Sequence, residues 1–396
     1  MSDIRDDVAA SFIESFGCEP VGLWSAPGRV NLIGEHTDYN EGFVLPFAIN
    51  RRTVLALGTR SDSRIRVASA YADEVAEIGI AELDGTDLDG TDLGPGRLRG
   101  WSAYPLGVVW ALGQFGADLS AVPGVDVYIE SVVPVGAGLS SSAAIESAMA
   151  IALNDVWQLG FDRPTLARIG QLAENKVVGA PTGIMDQSAS LLGRRDCAVF
   201  LDCRSLDSEI IDLGFTAAGL ELLIIDTGVS HSHATGGYAA RRTSCEAGAA
   251  ALGVSSLRDL GLTDLPRAQR VLDDETFRRV RHVITENQRV LDTVRTLREH
   301  GPVAIGELLD ASHRSMRDDF EISIPELDLA VETAQANGAI GARMTGGGFG
   351  GAAIALIPTA DVSRLQVALD GAFAEHGLGQ PVTFTVNAAD GAARER

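Results

Sequence analysis

The chain has 396 residues, more than a single hydrophobic core usually serves, so two domains or one large composite are expected. Apolar residues make up 45% and charged residues 22% of the chain, which excludes a wholly disordered or collagen-like protein. The 32 basic and 54 acidic residues give a net charge of −22, which disfavours nucleic acid and anionic membranes as partners.

The sequence shows no membrane-spanning segment, and the first residues lack the basic and apolar regions of a secretion signal. We therefore expect a cytoplasmic protein. Its four cysteines, Cys18, Cys197, Cys203 and Cys245, form no CxxC pair. They are expected to be reduced thiols of the interior rather than disulfides or a metal cluster.

Strand-like and helical runs alternate from end to end, which predicts a mixed α and β fold. Short apolar runs predict strands at residues 54–57, 125–129, 222–225 and 352–357. Asp162 before Arg163 and Pro164 marks a helix start, and an apolar stripe that ends at Gly301 predicts a helix over 277–300. We expect that long helix to serve packing. Residues 84–100 are rich in Gly and Asp and predict an exposed loop.

The first notable motif, residues 26–40 (APGRVNLIGEHTDYN), crowds charged and amide side chains around two glycines. Burying so many polar groups costs free energy unless the protein or a ligand satisfies them, and a sugar with many hydroxyls could do so. An ordinary polar turn with solvated side chains is the alternative.

The second motif, residues 134–144 (PVGAGLSSSAA), follows a predicted strand and opens an apolar helix. A glycine loop that runs into a helix presents free backbone N–H groups, which predicts a phosphate cradle. Neither the P-loop pattern nor the dinucleotide pattern is present. The alternative is a serine that only caps a buried helix.

The third motif, residues 344–351 (MTGGGFGG), fits the GxGxxG pattern but precedes a predicted strand, so a dinucleotide site is excluded. Glycines at these positions would let the backbone approach a ligand or a neighbouring loop closely. A flexible turn is the alternative. Between the second and third motifs, Asp186 in the run GIMDQ could cap a helix or face a cleft.

Taken in order, these four segments resemble the galactokinase branch of the GHMP kinase family over residues 20–357. The resemblance implies an α+β protein of two domains, which we place at residues 1–200 and 201–396. The first would have the fold of domain 2 of ribosomal protein S5 and the second a ferredoxin-like fold, with the active site in the cleft between them. It also implies transfer of the ATP γ-phosphoryl group to the anomeric hydroxyl of α-D-galactose.

The same resemblance assigns roles to individual residues. Asp186 and Arg29 would be catalytic, with Arg29 keeping Asp186 ionised and stabilising charge on the phosphoryl group. The sugar contacts would be Glu35, His36, Asp38, Gly183 and Tyr238. The ATP phosphates would bind Gly136, Ala137, Gly138, Leu139, Ser140 and Ser141. Ser142 and Glu174 would hold Mg²⁺.

The sequence departs from many relatives at Gly237, where a Glu usually precedes the sugar-contacting tyrosine, so the role of Tyr238 is less well supported. Nearby His231 and His233 could suggest a metal, but no third local ligand accompanies them, so surface histidines are the better interpretation. Two other functions remain open. One is a kinase of N-acetylgalactosamine or L-arabinose, and the other is a non-catalytic sugar sensor. The intact serine–alanine run favours catalysis.

Overall fold

The structure is a computed structural model that describes residues 4–83, 98, 100–230 and 234–395. The predicted loop over 84–100 lies almost wholly outside the described residues, as do His231 and His233. No helix among the described residues is both long and apolar enough to cross a membrane.

Thirteen strands are present in the described part of the chain. In chain order they are β1 (Gly22–Asn31), β2 (Phe43–Val44), β3 (Pro46–Thr59), β4 (Arg64–Ser69), β5 (Ala72–Gly79), β6 (Val125–Ser131), β7 (Cys197–Asp202), β8 (Ser208–Asp212), β9 (Leu220–Ser230), β10 (Gly341–Thr345), β11 (Gly350–Pro358), β12 (Val382–Val386) and β13 (Ala393–Arg394).

These strands form three sheets, ordered β13-β1-β3-β6-β4-β5, β10-β11-β9-β12 and β2-β7-β8. All pairings are antiparallel except that of β4 with β6. The four strands predicted from apolar runs are confirmed as parts of β3, β6, β9 and β11.

Twelve α-helices accompany the sheets in the same described residues. They are α1 (Ile4–Phe16), α2 (Ile80–Leu83), α3 (Ala103–Gln114), α4 (Ser141–Val156), α5 (Arg163–Ala173), α6 (Met185–Leu192), α7 (Ala234–Leu252), α8 (Leu265–Val271), α9 (Asp274–His300), α10 (Gly306–Ser315), α11 (Pro325–Ala336) and α12 (Val362–Glu375). Two π-helices, Glu174–Val178 and Met316–Phe320, extend α5 and α10.

The helix starts and ends follow the local chemistry that the sequence predicted. Asp162 caps α5 by accepting a hydrogen bond from the backbone N–H of Thr165, with Pro164 in the first turn. Gly301 ends α9, and its φ of 75° is open to glycine without steric cost. The prediction of a long helix is therefore confirmed, with a start three residues earlier than expected.

The hydrophobic interior has three main parts. One lies between the six-stranded sheet and α3, α4 and α5, and another packs α7, α9, α11 and α12 on the four-stranded sheet. A third part joins the two halves, because Leu32, Phe47 and Val133 pack in the same cluster as Ile224, Val290 and Ile354. Burial of this shared cluster fixes the two sheets around one cleft.

A domain boundary at residue 200 stays a prediction. Strand β7 runs through that position, and β13 near the end of the chain pairs with β1 of the first sheet. None of the four cysteines forms a disulfide, but Cys18 is exposed, so the expectation that all four lie in the interior is wrong for that residue.

Candidate active site

A cavity of about 310 Å³ lies between the two halves of the molecule. It brings together every site residue that the resemblance assigned except Ala137, which is buried in the core shared by the two halves. The three motifs and the Asp186 segment therefore form one site, although more than 300 residues separate its first and last members.

Arg29 and Asp186 form a bidentate ion pair at this site. Arg29 Nε donates to Asp186 Oδ1 over 2.7 Å, and its NH2 donates to Oδ2 over 2.8 Å. Burial opposes the charge of Arg29, but Asp186, Glu35 and Asp38 together raise its pKa. The guanidinium is therefore a fixed positive charge in a cleft lined by carboxylates.

The second motif is tied to this pair. Arg29 NH1 donates to the backbone carbonyl of Gly138 over 2.5 Å, and Ser140 Oγ donates to Asp186 Oδ2. Ser140 precedes α4 with a left-handed φ of 55°, and its side chain makes no capping hydrogen bond to the helix. The interpretation of this serine as a simple helix cap is therefore wrong. The N–H groups of the first turn of α4 have no intrahelical partners, which leaves them available to an anion.

Glu174 and Ser142 lie beside each other at the same cleft. Ser142 Oγ donates to Glu174 Oε1 over 3.1 Å, while Thr182 Oγ1 and Gln187 Nε2 donate to Oε2 over 2.9 and 2.8 Å. Burial, and next the negative charge of Asp186, raise the pKa of Glu174. Among the described residues no cationic side chain pairs with this carboxylate. A hydroxyl and a buried, unpaired carboxylate are hard oxygen donors of the kind that Mg²⁺ binds, so the residues present fit that ion.

Glu35 of the first motif is almost fully buried, at 2% exposed. Its Oε1 atom accepts from the backbone N–H of Gly346 over 2.9 Å and from Thr345 Oγ1 over 3.2 Å, and it lies 3.2 Å from Arg343 NH2. These three contacts join the first motif to the third. No described residue bonds Oε2, which leaves that oxygen for a ligand in the cavity that Glu35 lines.

His36 is buried with both ring nitrogens engaged. Nδ1 lies 2.8 Å from the Tyr39 hydroxyl and Nε2 lies 3.1 Å from the backbone carbonyl of Gly347. Burial lowers the pKa of His36 to about 3, so the ring is neutral. In that state Nε2–H donates to the carbonyl, and Nδ1 accepts from Tyr39. The ring packs beside those of Tyr238 and Phe320, and a direct sugar hydrogen bond from His36 stays a prediction.

Asp38 and Gly183 are in close contact. A Cβ atom placed on Gly183 would lie 1.9 Å from Asp38 Oδ2, so only glycine fits there. Asp38 Oδ1 accepts from the backbone N–H of Tyr39 over 2.9 Å. Burial, and then the charge of Asp186, raise the pKa of Asp38 to about 6.

Tyr238 lies on α7 with its ring 4.8 Å from that of His36 and 5.5 Å from that of Tyr39. The preceding residue, Gly237, has no room for a side chain, because a Cβ atom there would lie 2.6 Å from the Phe349 ring. The third motif therefore occupies the space that a glutamate at 237 would need.

The third motif packs directly on the second. A Cβ atom on Gly346 would lie 3.2 Å from Gly138 Cα, and one on Gly138 would lie 3.2 Å from the Thr345 carbonyl oxygen. The prediction that this glycine run permits a close backbone approach is confirmed, and the neighbour is the second motif.

The first motif is buried, with Asn31, Glu35, His36 and Asn40 each at most 6% exposed, so its interpretation as a solvated turn is wrong. Three further residues contact this motif from the other half of the chain and were not predicted from the sequence: His282, Glu286 and Arg343. A signal did exist for two of them, since His282 and Glu286 are polar residues four apart on the buried side of α9.

Among the described residues, no cluster of three or more His, Cys, Asp or Glu side chains could hold a metal ion.

Comparison with known proteins agrees with this geometry. Residues 10–59 match a galactokinase galactose-binding signature, residues 103–194 the GHMP kinases N terminal domain and residues 293–375 the GHMP kinases C terminal domain. The chain is 50% identical over 394 residues to a galactokinase of Streptomyces coelicolor, covering 99% of this chain and 98% of that one. It is 44% identical over 373 residues to a galactokinase of Mycobacterium tuberculosis, covering 94% and 99%.

The fold agrees as well. A crystal structure of Lactococcus lactis galactokinase complexed with galactose superposes with a TM-score of 0.91 at 30% identity, covering 99% of this chain and all of that one. A mevalonate kinase of Methanococcus jannaschii, at 16% identity, superposes with a TM-score of 0.60 and shows the shared fold.

Proposed function

Because the chain belongs to the galactokinases of the GHMP kinase family, we propose that its cavity binds galactose beside the ATP phosphates and that Asp186 and Arg29 act on the anomeric hydroxyl. The chain is a sugar kinase, and its product would be galactose 1-phosphate. The observation that carries the residue assignment is the bidentate Arg29–Asp186 pair, which lies where the sugar motif and the phosphate loop meet.

The pair can act in two ways at once. Asp186 Oδ2 accepts from both Arg29 and Ser140, whereas Oδ1 accepts only from Arg29 among the described residues. Oδ1 therefore keeps a lone pair for the anomeric hydroxyl and would orient that oxygen toward the phosphorus. The two hydrogen bonds from Arg29 fix the carboxylate in place, which favours electrostatic positioning over early proton removal in a loose transition state.

The sugar would lie over Glu35 Oε2, Asp38 and Tyr238, with Gly183 leaving room for Asp38. The phosphates would bind the backbone N–H groups of 136–141 and the start of α4, where the helix dipole favours negative charge.

Ser142 and Glu174 would hold Mg²⁺, which, when bound, neutralises charge on the phosphate oxygens. We expect Ser142→Ala to raise the Mg²⁺ concentration for half-maximal activity by roughly three- to tenfold, because one oxygen donor is lost. Ser147→Ala, which removes a buried hydroxyl of the same helix, is the matched control. An unaltered metal titration for Ser142→Ala would assign its hydroxyl to packing.

The test of the function is ADP release from Mg-ATP with galactose, N-acetylgalactosamine, L-arabinose and glucose. Turnover should be fastest with galactose. Faster turnover with another sugar would identify that sugar as the substrate instead of galactose. Galactose binding without turnover would indicate a sensor.

A further inference from the structure

Three buried polar residues of the second half of the chain form hydrogen bonds with the first motif, residues 26–40. We call His282, Glu286 and Arg343 the buried clamp. All three are fully buried, at 0% exposed. His282 and Glu286 lie four residues apart on α9, and Arg343 lies on β10.

The buried clamp contacts the backbone of the first motif at four of the five positions from 31 to 35. Arg343 NH1 donates to the carbonyls of Asn31 and Leu32 over 3.0 and 2.9 Å. Glu286 Oε1 accepts from the N–H of Gly34 over 3.0 Å. His282 Nε2 lies 3.1 Å from the carbonyl of Glu35. The segment 31–35 is therefore fixed by hydrogen bonds that cross from one half of the molecule to the other.

The two titratable members of the buried clamp on α9, Glu286 and His282, each have one dominant protonation state at neutral pH. Burial opposes ionisation of Glu286, yet the nearby cations, Arg289 first and then Arg343, lower its pKa to about 2. Burial lowers the pKa of His282 to about 4, so the ring is neutral, donates through Nε2 and accepts at Nδ1 from Ser315. Apart from Arg343 Nε, which has no partner among the described residues, the polar side-chain atoms of the buried clamp are hydrogen-bonded, and such networks favour one geometry.

Arg343 also reaches the Glu35 side chain, since its NH2 lies 3.2 Å from Oε1. Thr345 and Gly346 of the same strand end share that oxygen. One carboxylate oxygen of Glu35 is therefore held by two hydrogen bonds and one ion pair, and no described residue bonds the other. These contacts set the orientation in which Glu35 meets a ligand in the cavity that it lines.

We propose that Arg343 is a positioning residue for galactose binding that acts through Glu35, supported by His282 and Glu286. The proposal rests on the proposed function, because it assumes that Glu35 contacts the sugar. Arg343 itself does not line the cavity. Its effect should therefore fall on sugar affinity and not on nucleotide affinity.

The test is a double-mutant cycle on galactose Kd, measured by calorimetry with Arg343→Lys and Glu35→Gln. Lysine keeps the charge but cannot span two carbonyls and a carboxylate at once. We expect Arg343→Lys to raise the galactose Kd about tenfold with the ATP Kd changed less than about twofold. In the double variant the two effects should be clearly less than additive, because both act on one contact.

Arg279→Lys is the matched control. Arg279 is also fully buried on α9 but bonds the Asp319 carbonyl and Glu321 instead of the sugar motif. Its galactose Kd should stay within about twofold of wild type. Equal weakening by both substitutions, or additive effects of Arg343→Lys and Glu35→Gln, would overturn the proposal and leave Arg343 a structural residue.

A second variant covers the case in which Arg343→Lys fails to fold. Thr345→Val removes a donor to Glu35 at nearly constant shape and should raise the galactose Kd by a few fold, again less than additively with Glu35→Gln. Additivity here would equally overturn the proposal. Failure of the proposed function is a separate result, because wild-type protein would then neither bind nor phosphorylate galactose.

Discussion

Asp186 is placed so that its charge matters more than its shape. Asparagine keeps the volume but cannot accept two hydrogen bonds from Arg29 in the observed bidentate geometry. We expect Asp186→Asn to lower kcat by about 10²- to 10⁴-fold. The galactose Kd should change far less, because the transition state loses more than the ground state does.

This prediction is checked by steady-state ADP release together with calorimetry of galactose binding. Asp118→Asn, in an exposed loop, is the control for loss of one carboxylate. A kcat for Asp186→Asn close to that of wild type would remove this residue from the mechanism.

The buried carboxylate of Asp38 should lower the free energy of unfolding at neutral pH. Its pKa is about 6 in the folded protein against an ordinary 3.8, mainly because it is buried and next because Asp186 lies close. The folded state therefore loses stability as the pH rises from about 4 through about 6, and the loss is complete above that range.

Asp38→Asn should accordingly raise the free energy of unfolding at pH 7.5 by about 1–3 kcal/mol, and by less at pH 5. The same variant should bind galactose more weakly. Urea unfolding at the two pH values checks the first effect. A stability difference that does not depend on pH would show that ionisation of Asp38 carries no cost.

Sequence alone indicates the residues that stand in short runs, such as Arg29, Ser142 and Asp186, because each run carries a recognisable local chemistry. It does not show that one oxygen of Glu35 takes part in two hydrogen bonds and an ion pair with residues 343–346, or that His36 uses both nitrogens inside the protein. Such contacts depend on how two distant segments pack.

At the scale of elements, the start of α4 carries a strained residue. Ser140 has a left-handed φ of 55°, a conformation that costs a non-glycine residue roughly 1–2 kcal/mol. Its hydroxyl donates to Asp186 instead of capping the helix. The strain therefore accompanies a contact inside the candidate active site.

Two variants separate strain from function. Ser140→Ala and Ser140→Gly both remove the hydroxyl, so both should lower kcat by a similar factor. Ser140→Gly relieves the backbone strain and should be more stable than Ser140→Ala by about 1 kcal/mol. Thermal unfolding and kcat measured on the pair check this, and unequal kcat values would mean that backbone conformation, not the hydroxyl, controls the site.

The long helix α9 shows why element predictions and site predictions differ in success. Its apolar stripe and glycine end predicted the helix correctly, and the same stripe suggested a packing role only. The helix packs as expected, but it also carries two members of the buried clamp. Periodicity reports which face is buried, whereas the partner that the face meets is a property of the whole fold.

At the scale of the whole molecule, residues 391–395 pack against β1 and its neighbours. Strand β13 pairs with β1, and Glu395 contacts Ser25 Oγ over 2.5 Å and Arg5 NH1 over 3.0 Å. Arg52 NH2 donates to the Gly391 carbonyl over 2.9 Å. The edge of the six-stranded sheet is thus covered by the last residues of the chain.

A chain that ends at Asp390 should unfold at a temperature roughly 5–10 °C lower than the full chain, because it loses these contacts and exposes β1 as an edge. Glu395→Gln, which removes only the charge, should lie between the two. Calorimetry of the three proteins checks this. Equal unfolding temperatures would show that the terminal strand contributes nothing to stability.

The pairing of β13 with β1 also bears on how the protein is made. Strand β1, which carries Arg29, is separated from its outer neighbour in the sheet by more than 360 residues, from Asn31 to Ala393. During synthesis β1 is therefore complete long before β13 exists, and until then it is an open edge. Completion of the native sheet has to await a contact of very high sequence separation, which is a slow kind of contact to form.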